Sequence, residues 1–185
     1  MFIALLRGVN VGGNQKLPNA TFKATCENAG FESLRIHLQS GNAVFRSRRG
    51  SADRVAVALR NELQKAASLD VAVLVRTAEE LHEIIEHNPF ADAAKADPGR
   101  LLVVFLAAPA NAAAKAALEK ERAGDESIVF SGRELYAYLP DGAGRSKLAQ
   151  AFTPRKLGTE CTARNWNTVS RLDAIARELA APTSA

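Results

Sequence analysis

The sequence predicts an α+β protein made of two related units, and three observations carry that prediction. Of 185 residues, 47% are hydrophobic and 24% charged, so the chain can bury enough apolar surface to offset its ordering entropy. Short apolar or alternating runs, bounded by Gly, Pro and Asn, are interleaved with stretches of helical period. A Ser-Gly pair marks a bend between two such runs twice, at Ser40-Gly41 and at Ser131-Gly132.

The elements follow in order. Phe2 to Leu6 is an apolar run closed by Arg7 and Gly8, the pattern of a buried strand, and a loop runs from Gly8 to Leu17. Phe22, Cys26 and Ala29 form one stripe of a helix that Gly30 ends. Leu34, Ile36 and Leu38 alternate with Arg35, His37 and Gln39, which predicts a strand with one polar face. Ser40-Gly41 then turns the chain into a strand from Asn42 to Arg46. Ser51 caps a helix striped by Val55, Leu59 and Leu63, and Val71 to Val75 makes the next strand. The order βαββαβ over residues 1–76 is the split βαβ, or ferredoxin-like, arrangement.

Residues 77–185 are expected to form a second, related and smaller α+β unit with a C-terminal helix. Thr77 and Glu80 make a capping box ahead of Leu81, Ile84 and Ile85, and Asn88-Pro89 ends that helix. Asp97-Pro98-Gly99 breaks the chain before a strand at Leu101 to Leu106, and an Ala-rich helix spans Asn111 to Arg122. Ile128 to Phe130 and Leu135 to Leu139 form a hairpin around Ser131-Gly132. A Gly/Pro-rich stretch from Pro140 to Gly158 holds one short helix, and a last helix stacks Trp166, Val169, Leu172, Ile175 and Leu179. Both halves share a βαββα order, which suggests a structural duplication, although their residue identity is slight.

Composition excludes several classes. Cys26 and Cys161 are the two cysteines, too few for a disulfide framework or a four-thiolate zinc site. No apolar run approaches ~20 residues and Arg7 interrupts the first, so neither a membrane span nor a signal segment is expected, and a cytoplasmic location is the expectation. The formal charge is only +4, but it is unevenly spread. Residues 1–60 hold nine Lys/Arg against three Asp/Glu, residues 61–138 eight against thirteen, and residues 139–185 seven against four. Two basic ends flank an acidic middle, and together they suit an anionic ligand.

The loop from Arg7 to Lys16 joins a strand to a helix, where backbone N–H groups hold anions, or else it is a tight turn needing positive φ. Gly8 and Gly13 have the spacing of a P-loop, but Asn14 and Gln15 replace its Lys and hydroxyl, and Gly8, Gly12 and Gly13 do not make a dinucleotide fingerprint. No cofactor is therefore expected. Gly142-Ala143-Gly144-Arg145-Ser146-Lys147 also leads into a helix with two cations and a capping Ser. Arg155, Lys156 and Arg164 add charge around the last helix, where surface solvation and capping account for them equally well. His82 and His87 are five apart and point about 140° away from each other on a helix, so they do not form a zinc protease motif, and no metal is expected. No G-x-S-x-G elbow surrounds Ser40, Ser131 or Ser146. RNA-recognition domains share the βαββαβ order, but the third strand here has Phe45 as its sole ring, so nucleic-acid contact would fall on phosphates rather than stacked bases.

Three blocks carry a family resemblance: Met1 to Lys16 with Arg7-Gly8-Val9-Asn10-Val11-Gly12-Gly13, then Gln39-Ser40-Gly41-Asn42, then Arg164-Asn165-Trp166-Asn167-Thr168. Together they resemble the uncharacterised bacterial family called domain of unknown function 1697, over nearly the whole chain. The resemblance implies an α+β fold with a ferredoxin-like part and no established activity, so it supplies no catalytic residues. The family usually has Tyr where His37 stands.

The functional expectation is a phosphate- or anion-binding protein, whose ligand is a nucleotide or a nucleic-acid backbone. Its binding residues are expected to be Arg7, Asn10, Gly12, Gly13, Lys16, Gln39, Asn42, Arg145, Lys147 and Arg164. The alternatives are a protein-interaction module, whose basic ends dock an acidic partner or the acidic middle of a second copy, and a phosphate-positioning enzyme. No His or carboxylate lies in the candidate loops, so such an enzyme would orient a water or second substrate with cations and amides.

Overall fold

The computed structural model describes residues 1–12 and 15–181. Its elements run β1 (Phe2–Leu6), α1 (Asn19–Asn28), β2 (Glu32–His37), β3 (Asn42–Arg46), α2 (Ala52–Ala67), β4 (Val73–Thr77), α3 (Ala78–Glu86) and α4 (Ala91–Ala96). They continue with β5 (Leu101–Leu106), α5 (Ala112–Glu119), β6 (Ser127–Ser131), β7 (Glu134–Tyr138), α6 (Lys147–Gln150), α7 (Pro154–Leu157), β8 (Cys161–Asn165) and α8 (Trp166–Ala180). The chain divides into two compact units: Met1–Glu83 together with the chain from Arg171 on, and Ile84–Ser170.

The first unit carries the sheet β2-β3-β1-β4, all neighbours antiparallel, which is the ferredoxin-like order. Alternation along β1 sends Phe2, Ala4 and Leu6 to one face, where they meet Phe22 and Cys26 of α1 and Val55, Leu59 and Leu63 of α2. The predicted stripes of both helices are thus the core. Ser51 accepts a hydrogen bond from Arg54 N, as its capping role requires. On the opposite face, Arg35 of β2 pairs with Glu178 of α8, and Arg46 Nη2 of β3 donates to the Leu179 carbonyl at 2.8 Å. The expected alternation through Leu38 ends one residue earlier: Leu38 has φ +59 and is 55% exposed, in the turn rather than the strand. β4 likewise starts at Val73 and reaches Thr77, two residues beyond the predicted run.

The second unit repeats the order as β6-β7-β5-β8, again antiparallel throughout. Two four-residue helices, α6 and α7, stand where the 16-residue α2 stands in the first, and the unit is the smaller because the chain from Arg171 on belongs to the first. Its core joins Val104, Leu106, Leu135 and Ala137 of the sheet to Leu118, Leu148 and Leu157 of the helices. Three elements were not expected from the sequence: α4, β8, and the second of the two short helices between Pro140 and Gly158, where one was expected. β8 is the fourth strand of the duplicated unit, and it supplies the pairings Leu102↔Asn165 through Leu106↔Cys161.

Burial pushes the Cys26 thiol up to about 12, helped by the charge of Glu27, and Cys161 is buried as well. The thiolate is the reactive species. Neither thiol is therefore expected to react with a disulfide reagent at pH 8 while the protein is folded, and both should react once it is denatured. Rapid labelling of a native thiol would contradict this packing.

Candidate functional site

The expected binding residues fall into two groups with different fates. In the first unit, the segment after β1 passes through the left-handed region at Gly8, Asn10, Gly12 and Gln15. Asn10 makes this path self-consistent. Its Oδ1 accepts from Leu17 N at 2.8 Å, while its Nδ2 donates to the carbonyls of Leu17 at 2.9 Å and Gln39 at 2.6 Å. The amide therefore closes the loop on itself and ties it to the β2–β3 turn. Leu6 N donates to the Gly41 carbonyl at 2.8 Å beside that tie. The first two blocks that carry the family resemblance are thus one contact region. Lys16, Gly12 and Gln39 are exposed and Arg7 is half-buried, while Gly13 lies outside the described residues.

Asn42 is not at a surface. It is fully buried, and its Nδ2 donates to His37 O at 3.1 Å and Ser40 Oγ at 2.8 Å, so its work is to hold the hairpin turn. His37 is held below its ordinary value by burial and then by the charge of Arg171.

In the second unit, Arg164 is also inside the fold. It lies on β8 opposite Val103, 9% exposed, and its Nη1 donates to Thr162 Oγ1 and to Ala163 O, both at 2.8 Å. Burial lowers its pKa to about 10, which leaves it charged at neutral pH. Arg76 occupies the matching register of β4, opposite Ile3, is 2% exposed, and donates to the carbonyl of Val75 in the same way. Each arginine is followed by the residue that caps the next helix: Thr77 with Glu80 in a reciprocal capping box, and Asn165, whose Oδ1 accepts from Thr168 N. The third resemblance block is therefore a strand-to-helix junction, and the duplication extends to its buried cation.

His82, whose side chain is 45% exposed, faces one buried carboxylate. Its Nδ1 lies 3.5 Å from Oδ1 of the buried Asp173, which also pairs with Arg177. Among the described residues, no group of three or more His, Cys, Asp or Glu is placed to hold a metal ion, and no helix is long and apolar enough to cross a membrane.

Arg145 and Lys147 are exposed, and Arg145 helps to form a recess of about 470 Å³ with Gly99, Arg100, Gly142, Ala143 and Gly144. The recess exists because β5 and β7 pair Leu101 with Tyr138, which brings the residue before β5 to the segment after β7. Leu139 N then donates to Arg100 O at 3.0 Å, and Gly142 N to Leu139 O at 2.8 Å. The Arg100 guanidinium lies directly over Gly142, whose φ is +86; a Cβ there would stand 2.0 Å from Arg100 Nη1. Asp97 is 3.6 Å from Arg100 Nε and steadies it, and Asp141 is the one acidic residue in the lining. Among the described residues, the Arg145 side chain makes no hydrogen bond or ion pair. Arg100 was not among the expected residues, because Pro98-Gly99 reads only as a chain break and its partner is 42 positions away.

A family model described as "Protein of unknown function (DUF1697)" matches residues 1–136, and the chain belongs to that family. No curated protein matches the chain. Among solved structures, a conserved bacterial protein from Streptococcus pneumoniae matches with a TM-score of 0.69 at 18% identity, covering 95% of this chain and 97% of that one. At that identity the likeness concerns the fold.

Proposed function

We propose that this member of the DUF1697 family binds a phosphate-bearing anion, a nucleotide or a nucleic-acid backbone, through the recess formed by Arg100 and the Gly142–Arg145 segment. One observation carries the reading: Arg100 and Arg145 line one open recess with a glycine-rich backbone, the Arg100 guanidinium lying over Gly142 and the Arg145 side chain having no hydrogen bond or ion pair among the described residues. Guanidinium forks match phosphate oxygens in pairs, and backbone without side chains lets a phosphate approach closely. Lys147, two residues after Arg145 and exposed, adds long-range attraction. Arg7 and Lys16 belong to the first unit.

Calorimetric titration of the full chain with pyrophosphate, a mononucleotide and a short single-stranded RNA tests the proposal. Arg145→Ala is expected to weaken the best of these by about 10- to 150-fold, the scale of a charged hydrogen bond of ~1.5–3 kcal/mol, and rising salt should weaken it further. No binding by any of the three at low salt would overturn the reading and favour a protein-interaction module instead.

A further inference from the structure

The recess of the second unit has a counterpart in the first. In both units the connection leaves the third strand in sequence, passes a glycine of positive φ, Gly50 at +69 or Gly142 at +86, and reaches a serine that caps the next helix. Ser51 accepts from Arg54 N and Ser146 from Ala149 N. In both, an arginine near that serine, Arg54 three residues after Ser51 or Arg145 immediately before Ser146, makes no side-chain hydrogen bond or ion pair among the described residues. At the first connection a recess of about 530 Å³ is lined by Arg48, Arg49, Arg54, Val57, Ala58 and Asn61, with Asp53 as its acidic member.

We propose that this recess is a second binding site, for a nucleotide unit whose phosphate meets the arginines and whose base lies on Val57 and Ala58. The arginines outnumber the single carboxylate three to one, so the site selects an anion. Arg49 is held ready: its Nη1 donates to Ala29 O at 2.6 Å and its guanidinium lies 5.6 Å from the Phe31 ring centroid. Arg48 sits 3.3 Å from the exposed Glu32, a solvated pair that an incoming phosphate can displace. Val57 is 60% exposed on the outer face of α2, and with Ala58 it offers an apolar floor that a bare phosphate would not use. Asn61 presents both a donor and an acceptor at the far end, which suits the polar edge of a base. The volume fits one small ligand, whereas an acidic peptide needs a longer groove.

This inference extends the proposed function and rests on it for the class of ligand. The test is an NMR titration of the full chain, unaltered and as Arg54→Ala, with AMP, a pentanucleotide RNA and inorganic phosphate. AMP or the RNA is expected to move the amides from Arg48 to Asn61 as well as those from Gly142 to Lys147, and whichever does so identifies a free nucleotide or one within a strand as the source. Arg54→Ala should weaken the first set about tenfold or more while leaving the second unchanged. Shifts confined to Gly142–Lys147 overturn the second site and leave the proposed function standing, and shifts at neither overturn both. Equal response to inorganic phosphate and AMP at Arg48–Asn61 also overturns it, since the apolar floor would then do nothing.

Discussion

Phe45→Ala is expected to destabilise the first unit by about 3–5 kcal/mol, the range for emptying a fully buried aromatic site. Phe45 is completely buried in β3, opposite Phe2 of β1. Its ring stacks on Phe31 at 4.0 Å with an interplanar angle of 1°, and the Phe2 ring centroid is 6.5 Å away. Removing it leaves a void that strands on both sides keep open, because β3 is hydrogen-bonded to β1 and β2. The Phe31 ring that carries the Arg49 guanidinium would lose its stacking partner. Thermal unfolding should fall by roughly 6 to 20 °C, while Phe45→Leu, which refills most of the volume, should cost less than about 1.5 kcal/mol. A change below ~1 kcal/mol in Phe45→Ala would mean that this stack is not the centre of the core.

Gly41→Ala is expected to cost about 2–5 kcal/mol by two separate effects. Gly41 has φ +72, where an L side chain costs ~1–2 kcal/mol. The added Cβ would also stand 2.6 Å from Val9 Cγ2 and 2.7 Å from Leu6 Cβ, both buried and neither able to swing away, an overpacking cost of ~1–3 kcal/mol. Gly12→Ala is the control, since its φ is +60 but nothing lies within 4 Å of the new Cβ, so it should show the backbone term alone. Urea unfolding of the two variants separates the terms, and equal losses in both would remove the close packing of the hairpin turn against Val9 and Leu6.

Local chemistry was legible. The caps at Ser51 and Ser146 accept the hydrogen bonds their positions foretell, and the Thr77–Glu80 box closes in both directions. The strands Phe2–Leu6, Asn42–Arg46 and Leu101–Leu106 lie where apolar runs and turn residues place them. β8 was not legible: Cys-Thr-Ala-Arg-Asn alternates over only four residues, its apolar members are small and Thr is its one strong strand former, and it is a strand because β5 offers it an edge. The candidate loops were legible as loops but not as sites. Asn10, Asn42 and Arg164 look like ligand-binding groups along the chain, yet each is committed to backbone carbonyls or a neighbouring hydroxyl.

By itself, then, the sequence determined the α+β class, the ferredoxin-like order of the first unit and the presence of a related second one, because strands, helices and caps are written in periods and neighbours a few residues apart. Only the tertiary structure decided which polar groups remain free. The β5–β7 register sets Arg100 over Gly142, and the β5–β8 register turns Arg164 inward. The chain from Arg171 on belongs to the first unit, where Glu178 meets Arg35 across 143 positions. The physical reason is common to all three. A side chain's availability depends on whichever strand or helix lies against it, and strand pairing over long separations is set by the combined burial of a whole sheet face rather than by any local residue pattern.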